Sequence, residues 1–260
     1  MKTILITGLD GSGKSTVFEK LKQGASPQTG FLHVPYFQTD CIPENFEYLE
    51  LCREINEMGS HADEWKLPLL KIYALFGSMM LFSRVEKAFK QSGKMLLFAE
   101  RHPLIDTSLY AQVYLPYMNP EKFPSGLFAR MDAHFGKALR QILGLTGPEE
   151  STHSFAKALL ERIYSTFGKN TPTLADLSTF FDCQLPDQIY FLDAPAAVLI
   201  ERIGDRNTKE YHEEEEKLDF LRNAYLRSLK SIENVEIIPA ERFETLDLFT
   251  EKLKEKSKRI

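Results

Sequence analysis

The chain has 260 residues, 43% of them hydrophobic and 27% charged, with 32 Lys and Arg against 37 Asp and Glu for a net charge of −5. That is the composition of a folded protein with enough chain to bury a sizeable core. It excludes capture of a nucleic acid polymer or an anionic membrane by bulk charge, so a polyanionic ligand needs a local cluster of positive groups.

The first predicted element is a strand over Lys2 to Thr7, whose apolar run Ile4, Leu5, Ile6 suits burial on both faces of a parallel sheet. It runs into Gly8-Leu9-Asp10-Gly11-Ser12-Gly13-Lys14-Ser15-Thr16, which fits the phosphate-loop pattern G-x-x-x-x-G-K-[ST], and a helical pattern starts at Lys14. The glycines let backbone N–H groups converge on phosphate oxygens, and the helix points its positive end at the same anion. Lys14 brings a cation to the β- and γ-phosphates, Ser15 offers a hydroxyl to Mg2+ and Thr16 reaches the α-phosphate. Gly8, Asp10, Gly11, Ser12, Gly13, Lys14, Ser15 and Thr16 are therefore the expected ATP site.

A second strand is predicted over Phe31 to Phe37, and helical periodicity from Leu67 to Gln91. The strand Lys94 to Ala99 delivers Glu100-Arg101-His102-Pro103 to the sheet edge, where ligands bind in open α/β folds. Glu100 can hold Mg2+ through water or take a proton from an acceptor hydroxyl. Arg101 can fork onto phosphate or order the carboxylate, and a mere buried ion pair is the alternative. From Asn119 to Pro186 no strand is evident, and Gly and Pro breakers divide the stretch into three helices, an all-helical insertion. Strands at Gln188 to Asp193 and Val235 to Pro239 and a helix over Glu216 to Ile232 complete the pattern. Strands alternating with helices predict a single three-layer α/β/α domain, a P-loop NTPase fold with five parallel strands, eight to ten helices and the insertion.

Cys41, Cys52 and Cys183 are odd in number, far apart and without metal-ligand spacing, which predicts free thiols in a reducing, cytoplasmic setting. No apolar run reaches the ~18–20 residues of a membrane span. The one before Gly8 is too short for a secretory signal, so no membrane partner is expected.

The loop GLDGSGKST, with its acid at Asp10, resembles the phosphate loop of thymidylate kinases. The segment Glu100 to Pro103 resembles the acid-Arg segment of thymidylate and deoxynucleoside kinases, particularly viral-type thymidine kinases. The segment Arg202-Ile203-Gly204-Asp205-Arg206 is similar to the lid of those families, here placed at 202–215, and Arg202 and Arg206 share a helix face from which they could converge on phosphates. Their alternative is pairing with Glu201, Asp205 or the acidic run Glu213 to Glu216. The resemblance implies transfer of a phosphoryl group from ATP with Mg2+ to a nucleoside or nucleoside monophosphate. Lys14, Glu100, Arg101, Arg202 and Arg206 would then be catalytic, with Ser15 and Glu100 on the metal and dimerisation through helices beside the sheet. Two departures stand out. The second strand reads His33-Val34-Pro35-Tyr36-Phe37 without the glutamate that deoxynucleoside kinases use as base, leaving Asp40, Glu44 or Glu100 for that task, and Phe76 is followed by Met80 where thymidylate kinases carry Arg. Asp10, which in thymidylate kinases holds the 3′-hydroxyl, slightly favours a monophosphate. Asp10, Tyr36, Asp40, Phe76, Arg84 and Arg101, with Trp65 and Tyr73, are the acceptor-side candidates; ordinary core packing is the alternative for each aromatic. A hydrolytic ATPase or GTPase switch, a nucleotide binder without catalysis and a kinase of a non-nucleotide acceptor are the competing functions.

Overall fold

The computed structural model describes residues 1–147, 152–169, 171–204 and 214–257. In chain order the elements are β1 (Lys2–Gly8), α1 (Lys14–Lys22), β2 (Thr29–Leu32), α2 (Leu49–Glu64), α3 (Pro68–Gln91), β3 (Leu96–Ala99), α4 (Pro103–Tyr114), α5 (Ser125–Leu145), α6 (Phe155–Ile163), α7 (Leu174–Phe181), β4 (Gln188–Asp193), α8 (Ala196–Ile203), α9 (Glu215–Leu229), β5 (Val235–Pro239) and α10 (Phe243–Ser257). The strands form one parallel sheet in the order β2-β3-β1-β4-β5, which is the P-loop α/β fold expected from the pattern.

Strand periodicity builds the outer layers. Neighbouring residues of β4 point to opposite faces, so Phe191 stacks on Tyr225 of α9 while Tyr190 meets Phe249 of α10. Phe18 of α1 packs edge-on to Phe31 of β2 on the α10 side. On the other side Phe89 of α3 crosses the sheet so closely that a Cβ on Gly30 would fall 2.9 Å from its ring. Helix α3 is long and apolar enough to cross a membrane, yet 83% of its most apolar stretch is buried inside the protein, as befits a core helix.

The second strand differs from expectation. It spans Thr29–Leu32 rather than Phe31 to Phe37, because its ladder with β3 ends where Glu100 N donates to Leu32 O at 3.0 Å. Pro35 has no N–H to continue. Asn56 then takes the place of a neighbouring strand, accepting from Phe37 N at 2.8 Å and donating to Phe37 O at 2.7 Å. Between β3 and β4 the described residues contain no strand. Cys41, Cys52 and Cys183 are free thiols, and burial pushes the latter two up to about 12.

Candidate functional site

The phosphate loop leaves β1 at the middle of the sheet. Gly11 and Gly13 take φ of 83° and 93°, and a Cβ at Gly13 would also fall 2.6 Å from Leu246 Cδ1, so only glycine fits there. Gly13 caps α1 without a side-chain hydrogen bond, and no acid occupies the first turn. The opening amides of α1 are thus left for an anion. Lys14, 5% exposed, donates to Leu9 O at 2.9 Å and lies 3.5 Å from Asp10 Oδ1. Burial lowers its pKa, with Asp10 opposing. Ser15 and Thr16 face the same cleft, while Ser12 is buried with no hydrogen-bond partner for its Oγ.

Glu100 and Arg101 follow β3 directly, beside β1. His33 Nδ1 lies 3.0 Å from Glu100 Oε2. Burial pushes the Glu100 carboxyl up, but the His33 hydrogen bond and the charges of Lys14 and Arg101 more than offset this and hold it below the ordinary 4.5. Arg101 donates to Asp10 Oδ1 at 2.8 Å, reaches Asp106 Oδ1 at 3.5 Å and stacks 4.6 Å over the Tyr110 ring. Asp106, fully buried on the first turn of α4, also accepts from Thr7 Oγ1 at 3.0 Å, His102 N at 2.7 Å and Tyr225 OH at 2.5 Å. One carboxylate therefore gathers β1, α4 and α9 under the guanidinium.

These groups line a cleft of about 1080 Å³ that extends from the phosphate loop to α3. Its far end is walled by Ile72, Leu75, Phe76 and Met79 of α3 and by Tyr114 and Met118. Lys71, 6% exposed, sits on its edge with Nζ 2.9 Å from Asp63 Oδ1 and 3.4 Å from Tyr36 OH. Burial pushes the Tyr36 hydroxyl up to about 12. At the opposite end, Glu241 to Glu244 and Val198 border the phosphate loop. There Arg202 donates to Gly11 O, Ala240 O and Glu241 O, and its guanidinium lies 4.5 Å over Phe243.

Of the residues singled out in the sequence, Asp10, Gly11, Gly13, Lys14, Ser15, Thr16, Tyr36, Phe76, Glu100, Arg101 and Arg202 line this one cleft. Gly8 and Ser12 lie behind it in the loop. Asp40 is exposed and is not on its wall, and Arg84 turns to Met80 O at 3.1 Å and the Tyr48 ring. Trp65 stacks on His61, and Tyr73 is buried with its hydroxyl on Ala156 O at 2.6 Å. Arg202 bonds to backbone carbonyls rather than to Glu201, while Arg206 and the lid beyond 204 up to 213 lie outside the described residues. His33, Lys71, Asp106, Tyr110 and Phe243 were not anticipated. Asp106 and Tyr110 had a signal in the sequence, since they lie about one and two turns after Pro103 on the helix that it opens, just beyond Arg101.

The cradle suits a nucleoside triphosphate: the open amides of α1, the orphaned Ser12 hydroxyl and the movable Lys14 amine are all complements to phosphate. Among the described residues no group of three His, Cys, Asp or Glu could hold a metal by itself. A hard cation such as Mg2+ suits Ser15 and Glu100 together with phosphate oxygens and water, because it keeps several waters and few protein ligands.

No protein-family model matches the chain, and no curated protein matches it. Among solved structures it is similar to a deoxyadenosine kinase from M. mycoides with products dCMP and a flexible dCDP bound, at 14% identity and a TM-score of 0.48 over 97% of this chain and 99% of that one. The same kinase with bound dATP gives 15% identity and a TM-score of 0.48 over the same shares.

Proposed function

We propose that the chain is an ATP-dependent phosphotransferase of the thymidylate and deoxynucleoside kinase type, acting on a nucleoside or nucleoside monophosphate. The observation that carries this reading is the continuity of the cleft: a triphosphate cradle at one end, an apolar recess at the other, and Glu100, Asp10 and Arg101 between them. Its volume of about 1080 Å³ lies above the ~300–1,000 Å³ range of single small-ligand pockets. A hydrolase switch needs room for water and one nucleotide; on this reading the apolar recess beyond Glu100 and Arg101 is where the second substrate lies.

On this reading the residues do little covalent work and much positioning. Lys14 exchanges Leu9 O for a phosphate oxygen and neutralises charge as the phosphoryl group moves. Arg202 and Phe243 offer a flat cationic and aromatic surface to the donor base. Glu100, kept ionised by His33, accepts a proton from an acceptor hydroxyl or holds the metal. With Val34 and Pro35 after the second strand and Asp40 off the wall, Glu100 and Asp10 are the carboxylates on this reading, since Asp106, although it also lines the cleft, is taken up by Thr7, His102 N, Tyr225 and Arg101. Bound Mg2+ would supply charge neutralisation at the phosphates. Arg101 and Asp10 orient the acceptor.

Incubation with Mg-ATP and a panel of thymidine, thymidine monophosphate, deoxycytidine and deoxyguanosine tests the proposal. Phosphorylation of one member supports it. ATP binding or hydrolysis without any phosphorylated acceptor sinks it in favour of a switch or a non-catalytic binder. Arg101→Ala separates the acceptor classes, because a raised KM marks a bound acceptor phosphate and a lowered kcat marks loss of order at Glu100.

A further inference from the structure

We infer that the helical insertion is the end wall of the acceptor recess and that Phe167 sets how deep an acceptor ring can enter, which makes it a specificity-determining residue. The inference rests on the kinase reading and deepens it. Ile163, the last residue of α6, and Phe167 both line the cleft opposite Phe76, and their side chains are otherwise buried. Phe167 meets Phe76 edge to face at 6.3 Å between ring centres and stacks on Phe181 at 6.5 Å, so its ring is backed by α7 and fronted by the recess.

The local backbone is unusual where this happens. Residues Tyr164–Gly168 continue α6 as a π-helical turn, in which Lys169 N donates to Tyr164 O at 3.2 Å. Such turns are rare and recur at functional sites. A Cβ at Gly168 would fall 2.1 Å from the Tyr164 ring, so the turn as built needs glycine there. The wall is also fixed to the helix that it faces. Ala156, at the start of α6, gives its carbonyl to Tyr73 OH of α3 at 2.6 Å, and its N–H donates to Asp132 of α5 at 2.8 Å. A wall anchored in this way limits depth by shape, and it offers an aromatic edge with no polar group from Ile163 or Phe167. The chemistry it accepts is therefore an uncharged, flat ring such as a nucleobase, with small substituents on its far edge.

Wild type, Phe167→Leu and Phe167→Ala, each checked for folding by circular dichroism, are assayed with Mg-ATP on deoxyuridine, thymidine, 5-ethyl-deoxyuridine, deoxycytidine and deoxyguanosine. The expected result is a ratio of kcat/KM for 5-ethyl-deoxyuridine over deoxyuridine that rises about tenfold or more in the smaller variants, with the KM for ATP unmoved. Phe167→Leu answers the question if Phe167→Ala does not fold. An unchanged ratio, or equal changes in the KM of ATP and acceptor, overturns the wall. If wild type phosphorylates none of the five and none of their 5′-monophosphates, the kinase reading falls instead, and thermal shift with the same nucleosides decides the wall without turnover. A shift that turns toward the bulkier base in the variants upholds it; identical shifts in all three proteins overturn it.

Discussion

Arg101 Nη2 donates to Asp10 Oδ1 at 2.8 Å, tying the segment after β3 to the phosphate loop after β1. Arg101 is buried and Asp10 is 19% exposed in the cleft, and Asp106 supplies a second carboxylate to the guanidinium from behind. The loop's conformation and the acceptor side of the cleft are thereby set by one ion-pair chain.

Lys14→Met separates function from stability. The ammonium is buried and burial depresses its pKa, so removing it relieves a cost that the fold bears without ligand. The expected outcome is a thermal midpoint higher by about 2–4 °C for each kcal/mol relieved, together with a turnover number lower by about 10²–10³. Calorimetry and steady-state kinetics on the same preparation check this, and a fall in both quantities would contradict it.

Asp106→Asn leaves Arg101, Tyr225, Thr7 and His102 N facing an amide in place of a carboxylate. Breaking a buried charged network from one side costs about 3–5 kcal/mol. Tyr225→Phe removes one hydrogen bond to that charge and costs less, about 1.5–3 kcal/mol. Urea unfolding midpoints should rank wild type, Tyr225→Phe and Asp106→Asn in that order.

His102 makes stability fall on acidification. Its Nδ1 accepts from Leu104 N at 3.2 Å as the cap of α4, and burial holds its pKa at about 3 against an ordinary 6.5. The folded state therefore binds fewer protons than the unfolded one between those values. The stabilisation from neutral His102 is complete above 6.5 and is lost as pH falls through that window toward 3, with an upper bound of several kcal/mol. His102→Asn keeps a capping oxygen that does not titrate. Its unfolding midpoint should change less between pH 7 and pH 4 than that of wild type, and parallel slopes would refute the assignment.

Phe243 is 55% exposed and holds no core contact that the fold needs, so its replacement tests the donor end alone. Phe243→Ala should raise the KM for ATP about three- to tenfold, as expected for loss of an exposed cation–π and stacking surface. The acceptor KM should stay within error. An unchanged KM for ATP would move the donor base elsewhere.

Much of the fold was readable because its signals are local. β1, β4, β5 and α3 follow from apolar runs and helical period, and the phosphate loop from spacing alone. β2 was misplaced because Thr29 and Gly30 look like turn residues. Gly30 pairs with Leu97 of β3 and must be glycine because Phe89 leaves no room for a side chain, a long-range cause that a window of sequence does not contain. The site divides in the same way. Glu100 and Arg101 directly follow an apolar strand, and Lys14 closes the glycine loop after another, positions that mark them. His33, Lys71 and Tyr225 come from distant segments, and their types alone say nothing about meeting Glu100, Asp63 or Asp106. Arg84 shows the reverse: as the charged residue among the acceptor-side aromatics it is a candidate reader, yet its guanidinium turns to Met80 O instead.

The Asp106 network has a consequence for how this protein can diversify. The residues beneath Arg101 belong to β1, α4 and α9 at once, so a change there is a change to the sheet's own scaffolding. Ile163 and Phe167 belong to α6 and its π-helical turn, which are anchored by Ala156 to α3 and α5. Altered preference for the acceptor should therefore arise by exchange of side chains on α6 and its π-helical turn. The phosphate-handling end should stay constant across such variants, like a common handle fitted with interchangeable heads.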